Sequence, residues 1–157
     1  MRKSAVLLLL LSLLAFCCLA QAQGKLDRIG RFPSLTGELQ VSTYVEGNDR
    51  VGLLGIWRDQ PPRAATAFRT GGWEALLQLW AKARTVRYKS WEHVGIYKEV
   101  GTTDPTLLTV TAGPGIRITM ETEDGAFSAV LRPEDYDVFE MKLQQVRQFL
   151  KGDSAAQ

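Results

Sequence analysis

The sequence predicts an α+β fold in which one unit, an antiparallel meander of three or four strands followed by one helix, occurs twice. The first observation is that Phe68–Arg84 matches Leu131–Arg147 without a gap, and each stretch places an apolar stripe at helical spacing after a strand-like run. The second is that short runs of alternating apolar and polar residues, separated by turn formers, precede both stretches. We therefore expect one domain, residues 23–151, with pseudo-repeats at about 23–87 and 88–151 and with both helices packed on the sheets.

The first unit starts with residues 23–37, a mixed segment with turn formers and room for one short strand. Leu39–Val45 alternates apolar and polar side chains, so it predicts a strand with one buried and one solvated face. Val51–Arg58 and Ala64–Arg69 follow as further strands. The helix is expected to begin after Thr70, a candidate N-cap. Its buried face is predicted to consist of Trp73, Leu76, Leu77, Trp80 and Ala83.

The second unit repeats this plan. Four strand-like runs come before its helix: Trp91–Val100, Leu107–Ala112, Ile116–Glu123 and Ala126–Leu131. Asp124-Gly125, between the last two runs, predicts a tight hairpin turn of the type I′ class, whose twist matches that of the flanking strands. Pro133 suits the first helical turn, because an amide hydrogen there would have no partner within the helix. The apolar face of this helix is predicted to contain Tyr136, Phe139, Leu143, Val146 and either Phe149 or Leu150.

Residues 1–22 have the pattern of a cleaved signal peptide. Arg2 and Lys3 give a charged start, and Ala5–Ala20 is almost wholly apolar. Ala20-Gln21-Ala22 then fits the small-x-small pattern that precedes cleavage. The apolar run is too short to favour a retained membrane span. We therefore expect export to the periplasm or the extracellular space.

Both cysteines, Cys17 and Cys18, lie in that segment, so the mature chain is expected to contain no disulfide. Small secreted eukaryotic domains usually depend on disulfides, so this absence favours a bacterial exported protein. Lipid anchoring is the alternative, because it needs cleavage just before one of these cysteines; the bulky Phe16 disfavours it. Residues 152–157, small and polar, are expected to form a flexible tail.

The charge balance gives no whole-molecule argument for binding nucleic acid or an anionic membrane. The full chain has 19 Lys and Arg against 17 Asp and Glu. Removing the signal peptide takes away two basic residues and no acidic one, which leaves 17 against 17. A neutral mature chain lacks the basic excess that is typical of nucleic-acid-binding proteins.

The motifs give little support for an enzyme. His93 is the single histidine, and the chain has no nucleophile elbow, phosphate-binding loop or zinc-binding helix motif. Glu121, Glu123 and Asp124 cluster at the predicted hairpin, where strand alternation places the two glutamates in solvent instead of around a cleft. We expect no cofactor and no metal. A small hydrolase centred on His93 is the least favoured alternative.

Aromatic residues interleaved with cations are the best indication of a binding site. The candidate ligand-binding residues are Trp57, next to an arginine at a strand end, and Arg84, Arg87, Lys89 and Trp91, in the basic stretch after the first helix. Rings and cations in this pattern are suited to stacking on bases, sugars or lipid headgroups. The alternative is a solvated helix end, whose cations complement the helix dipole.

The order of strands running almost directly into a helix, twice, resembles the two-repeat fold of the Whirly and PUR-type nucleic-acid-binding proteins. The resemblance lies in Ala64–Arg69 before Trp73–Arg84 and in Ala126–Leu131 before Pro133–Leu150. It covers most of the mature chain, and it implies a two-repeat fold and nucleic-acid binding. Because the chain has no lysine-rich signature strand of the Whirly type, no functional residue is carried over.

These observations together predict an exported, non-enzymatic binding or interaction protein. Its partner is unidentified, with an envelope or extracellular protein and a polyanionic ligand as the two classes considered. The alternative is a nucleic-acid-binding module of the two-repeat type that uses Arg84, Arg87, Lys89 and Trp91. Export and a neutral charge argue against that alternative, since a fold does not fix a function.

Overall fold

Two four-stranded antiparallel sheets, each followed by a helix, make up the fold, which confirms the predicted fold class. A computed structural model describes residues 24–58, 64–86, 90–98 and 106–152. The predicted signal peptide and the predicted tail after Gly152 lie outside the described residues. No helix within the described ranges is long and apolar enough to cross a membrane.

The strands of each sheet follow one another in sequence order. The first unit contains β1 (Lys25–Ser34), β2 (Gly37–Glu46), β3 (Asp49–Trp57), β4 (Ala64–Phe68) and helix α1 (Thr70–Thr85). The second unit contains β5 (Glu92–Lys98), β6 (Leu107–Ala112), β7 (Ile116–Thr122), β8 (Gly125–Leu131), a short 3₁₀ turn (Pro133–Asp135) and helix α2 (Tyr136–Leu150).

The first strand of each sheet carries a bulge at the same place. The register shifts between Arg28 and Gly30 in β1, and between His93 and Gly95 in β5. Gly30 pairs with Val41 in one sheet, and Gly95 pairs with the corresponding valine of β6 in the other. A bulge is a local feature that bends a strand and increases its twist. Its recurrence supports the repeat organisation independently of the matched helical stretches.

The bulge glycines show how the two units pack together. A Cβ atom on Gly30 would lie 3.0 Å from Cγ of Lys142, and one on Gly95 would lie 2.4 Å from Cδ2 of Leu79. Leu79 and Lys142 occupy equivalent places in the two matched stretches. Each bulge therefore receives a side chain from the helix of the other unit. In keeping with this, α1 packs on β5 and β6, whereas α2 packs on β1, β2 and β3.

The buried faces of the helices are those that the sequence predicts. Trp73, Leu76, Leu77, Trp80 and Ala83 of α1 are all buried. In α2, Phe139, Leu143 and Val146 are buried, whereas Tyr136, Phe149 and Leu150 of the predicted face are half-buried. The indole Nε1 of Trp73 donates a hydrogen bond to the carbonyl oxygen of Leu143 at 2.9 Å, so this ring both fills the core and joins the helices. The interpretation of Trp73 and Trp80 as core residues is confirmed.

Side-chain hydrogen bonds cover an exposed edge of each sheet at equivalent positions. The hydroxyl of Thr36, in the β1–β2 turn, donates to the carbonyl oxygen of Ser128 in β8 at 2.6 Å. The hydroxyl of Thr106, just before β6, donates to the carbonyl oxygen of Ala65 in β4 at 3.4 Å. Ala65 and Ser128 each lie three residues before the start of a matched stretch. Because β4 and β8 are edge strands, these contacts occupy backbone groups that another chain could otherwise pair with.

Three local expectations differ from the structure. β1 is a strand of 10 residues where one short strand was expected, and Pro33 is tolerated near its end because β1 is an edge strand. Thr70 is the first residue of α1, and Arg69 occupies the N-cap without a side-chain cap hydrogen bond. In the β7–β8 turn Gly125 has φ of 127°, whereas no described non-glycine residue has positive φ. This excludes the type I′ turn that would need positive φ at Asp124.

The solvated face predicted for β2 is also partly wrong, because Gln40 and Ser42 are buried. Gly55 lies opposite Gln40 in β3. A Cβ atom on Gly55 would lie 3.1 Å from Nε1 of Trp57, so the missing side chain lets the indole lie against the sheet. A large ring on a neighbouring strand thus lies over Gln40, which alternation alone assigns to solvent.

Candidate ligand-binding surface

The five candidate residues fall into three groups in the structure. Trp57 ends β3 in the first unit, where the guanidinium carbon of Arg28 lies 5.7 Å from the centroid of its ring. Arg84 is in the last turn of α1, and Trp91 comes immediately before β5. Arg87 and Lys89 lie outside the described residues, so their role stays a prediction. The structure therefore does not join the described candidates into one cluster of cations and aromatic rings.

Arg84 is held by two carboxylates of α2. Its Nη2 lies 2.7 Å from Oδ1 of Asp137, and its Nη1 contacts Oε2 of Glu140. The hydrogen bond that Arg84 donates to Glu140 is the main reason that the pKa of the Arg84 guanidinium is raised above its ordinary value. These contacts give Arg84 a role in holding the helices together. A role in binding stays a prediction.

A cleft of about 550 Å³ lies beside this ion pair, and we call it the Arg84 cleft. Its walls include Arg84, Tyr136, Pro133 and the Gly113–Gly115 turn between β6 and β7. Trp91 lies on the other side of that turn, since a Cβ atom on Gly113 would be 3.2 Å from Cα of Trp91. The fold therefore places Arg84 and Trp91 near the same turn, with only the tryptophan next to the outer face of the second sheet.

The outer face of the second sheet, which is the face opposite the core, carries a row of three polar side chains. His93 in β5 pairs with Thr111 in β6, and Thr111 pairs with Arg117 in β7. Directly paired residues of neighbouring antiparallel strands lie on the same face, with Cβ atoms about 4.5–5.5 Å apart. The buried neighbours Val110 and Ile118 show that the opposite face is the core side. An imidazole, a hydroxyl and a guanidinium thus lie side by side across the sheet.

Trp91 adds an aromatic ring to one end of this row. The guanidinium carbon of Arg117 lies 4.1 Å from the centroid of the Trp91 ring, which is stacking distance. Trp91 is 37% exposed, an unusual fraction for the largest apolar side chain. No carboxylate within the described ranges forms an ion pair with Arg117. We call His93, Trp91, Thr111 and Arg117 the Trp91 site.

The hydroxyl at the centre of the Trp91 site lacks a hydrogen-bond partner. Oγ1 of Thr111 is buried, and no donor or acceptor of the described residues bonds to it. Leaving such a group unpaired typically costs about 1–3 kcal/mol, which is why buried polar atoms are nearly always paired. The oxygen lies between an imidazole and a guanidinium, and because it has no solvent-exposed surface a partner from outside the chain would reach it only after a neighbouring side chain moved.

The potential metal ligands in the described part of the chain are His93 and the Asp and Glu side chains. No group of three or more His, Cys, Asp or Glu side chains there is arranged to hold a metal ion. His93 has the hydroxyl of Thr111 as its paired neighbour, and no carboxylate is paired with it across the sheet. His93 therefore lies beside Thr111 on the outer face of the second sheet.

No family model matches the chain, and a search of curated proteins finds no relative. The argument for a function therefore depends on the geometry of the Trp91 site and not on homology to known proteins.

Sequence reasoning found Trp91 but missed Thr111 and Arg117 as its partners. Arg117 could be assigned to the outer face from the alternation of β7. Its neighbours could not be assigned, because the register between β5 and β6 depends on the bulge at His93. A one-residue change in register moves every side chain to the other face of the sheet. The proximity of Arg117 to the ring of Trp91 is likewise a tertiary feature.

Proposed function

We propose that this chain is an exported, non-enzymatic binding protein that holds an anionic ligand at the Trp91 site. The observation that supports this most directly is the stack of Arg117 on the exposed ring of Trp91, 4.1 Å from guanidinium carbon to ring centroid. Arg84 forms ion pairs with two acidic side chains, whereas Arg117 forms none within the described ranges. Its N–H donors are therefore available to a ligand.

The side chains of the site suit an anionic group such as a carboxylate, sulfate or phosphate. A guanidinium presents several N–H donors in one plane, and its stacking on Trp91 leaves those donors directed sideways along the sheet. The hydroxyl of Thr111 is unpaired but buried, so it can donate to the same anion only once a neighbouring side chain shifts to expose it. His93 supplies a further donor on the other side of the hydroxyl.

The exposed part of Trp91 favours a ligand that carries its charge on a ring. Indole faces stack on sugar rings and on nucleobases, and these contacts contribute about 1–3 kcal/mol per nucleobase in single-strand-binding proteins. An anionic polysaccharide combines a ring with a charge at each repeating unit. It also belongs to the polyanionic class that the sequence predicts and occurs where an exported protein would meet it.

The test is calorimetric titration with dextran sulfate, with uncharged dextran of the same length as the matched ligand. Binding of the sulfated polymer alone is expected, and it should weaken as salt is added. Arg117→Gln should lower the affinity by about tenfold or more, because hydrogen bonds to charged groups contribute about 1.5–3 kcal/mol. Trp91→Ala should lower it by about fivefold or more.

The matched control is Arg69→Gln, which removes the same charge from an exposed arginine at the β4–α1 junction. Its affinity for dextran sulfate should equal that of the unmodified protein. If Arg69→Gln weakens binding as much as Arg117→Gln, the interaction is a general charge effect and the Trp91 site is not its location. Equal binding of uncharged dextran would also contradict an anion site.

A nucleic-acid-binding module is the second candidate, because the Trp91 ring next to a cation is also a platform for stacking bases. It is tested with a single-stranded oligonucleotide in the same titration. Binding that is tighter than that of dextran sulfate, falls steeply with salt and weakens in Arg87→Gln and Lys89→Gln variants would support it. Absence of oligonucleotide binding at low salt would exclude it.

A further inference from the structure

A separate surface lies at the β1–β2 turn, residues Ser34–Gly37, which we call the tip. Leu35 at its centre is 107% exposed, more than any other large apolar residue among those described. The residues on either side point inward to β8. The hydroxyl oxygen of Ser34 accepts from the amide of Val130 at 3.0 Å, and the hydroxyl of Thr36 donates to the carbonyl of Ser128 at 2.6 Å. Leu35 therefore projects into solvent between two residues that are hydrogen-bonded to β8.

A single exposed leucine is common on protein surfaces and by itself indicates nothing. Here Leu35 shares a shallow cavity of about 290 Å³ with Pro33 and the half-buried ring of Trp57. The three apolar side chains therefore form one patch at the end of the first sheet. Trp57 was predicted to bind a ligand, and this patch is the surface to which the structure assigns it.

The patch is surrounded by arginines. Arg58 is exposed and lines the same cavity. Arg28 lies over the Trp57 ring, and Arg31 is 61% exposed along β1. Glu38 also lines the cavity, but its carboxylate is bound by Nε of Arg31 at 2.8 Å. The Arg31–Glu38 pair cancels one charge of each sign, so these residues leave a net charge of +2 around the apolar tip.

We propose that the tip docks on an anionic lipid surface. Leu35 enters the apolar boundary of the bilayer, the indole of Trp57 lies at the interface, and Arg28 and Arg58 contact the headgroups. Tryptophan favours this interface because one ring carries both an apolar body and an N–H donor. Each arginine is attracted to an anionic surface. Because the tip is already anchored on β8, docking does not carry the entropic cost of ordering the turn. The result is weak, reversible attachment that does not involve the Trp91 site.

The experiment is co-sedimentation of the exported protein with vesicles of equal parts phosphatidylglycerol and phosphatidylcholine, compared with phosphatidylcholine alone. Binding to the anionic vesicles and little binding to the others is expected. Leu35→Asn should lower the partition coefficient about tenfold or more, because it removes one leucine from the bilayer. Arg58→Gln should lower it about fivefold, the effect of one cation near an anionic surface.

Leu26→Asn is the matched control, because it makes the same change at a half-exposed leucine near the other end of β1. It should leave vesicle binding unchanged, as should Arg117→Gln in the Trp91 site. Thermal unfolding of each variant checks that the fold is retained. The proposal is overturned if Leu35→Asn binds as the unmodified protein does, if Leu26→Asn or Arg117→Gln weakens binding equally, or if no vesicle is bound.

Discussion

Arg84 at the end of α1 donates to Asp137 at the start of α2, with 2.7 Å between Nη2 and Oδ1. The reciprocal pair joins Arg147 at the end of α2 to Glu74 at the start of α1, also at 2.7 Å. Arg84 matches Arg147, and Glu74 matches Asp137, in the gapless match of the two units. Two equivalent ion pairs, one at each end of the helix pair, therefore hold the antiparallel helices together. Duplication of the unit explains why these residues recur at the same spacing.

Arg84→Gln is expected to reduce stability without reducing ligand binding. The pairs of Arg84 are partly exposed, and exposed ion pairs typically contribute up to about 1 kcal/mol. We expect a loss of roughly that size in urea-induced unfolding. The affinity for dextran sulfate should stay unchanged, because the guanidinium is already engaged by Asp137 and Glu140. Weaker binding in this variant with unchanged stability would instead place the anion site in the Arg84 cleft.

The Glu74–Arg147 pair predicts a loss of stability in acid. The hydrogen bond from Arg147 is the main reason that the pKa of Glu74 is lowered below its ordinary value of 4.5. A carboxyl group whose pKa is lower in the folded state stabilises the fold above its unfolded pKa, and this contribution is lost as pH falls through the folded value. The free energy of unfolding should therefore decline below about pH 4.5. Glu74→Gln should make that decline shallower, and added salt should do the same.

Gly52→Ala is expected to be among the most destabilising single-methyl changes in the chain. A Cβ atom on Gly52 would lie 2.7 Å from Cε3 of Trp73 and 2.7 Å from Cγ1 of Val146, both in buried side chains. Overpacking of a core typically costs about 1–3 kcal/mol. The control is Gly71→Ala, because a Cβ there meets nothing within 4 Å and alanine favours the helix. Gly71→Ala should be neutral or stabilising, and equal destabilisation by the two changes would contradict this packing.

The match of Phe68–Arg84 to Leu131–Arg147 was sufficient to predict two units and the buried faces of both helices. Local patterns carry that information, because apolar residues at helical spacing define a face whatever the face packs against. The partner of each face could not be predicted in the same way. That α1 packs on the second sheet and α2 on the first depends on contacts such as Leu79 with Gly95, which are distant in the sequence.

The candidate site shows the same limit. Trp91 and Arg84 were identified by composition, since both lie in one stretch of cations and aromatic residues. Composition cannot distinguish a cation with a carboxylate partner from one without. In the structure Arg84 has two such partners, whereas Arg117, which lies on β7 outside that stretch, has none within the described ranges.

Ser34→Ala is expected to open the edge of β8 locally. The hydroxyl oxygen of Ser34 accepts the amide hydrogen of Val130, which points away from the sheet on its last strand. Without that acceptor the amide should exchange with solvent faster, and global stability should fall by about 0.5–1.5 kcal/mol, the usual net value of one hydrogen bond. Hydrogen exchange measured amide by amide by NMR is the check.

Thr36→Val is the internal control, because it removes a donor to the carbonyl of Ser128 and leaves the Ser34 contact in place. It should affect the Val130 amide less than Ser34→Ala does, and the reverse order would mean that the threonine, not the serine, holds the tip on β8.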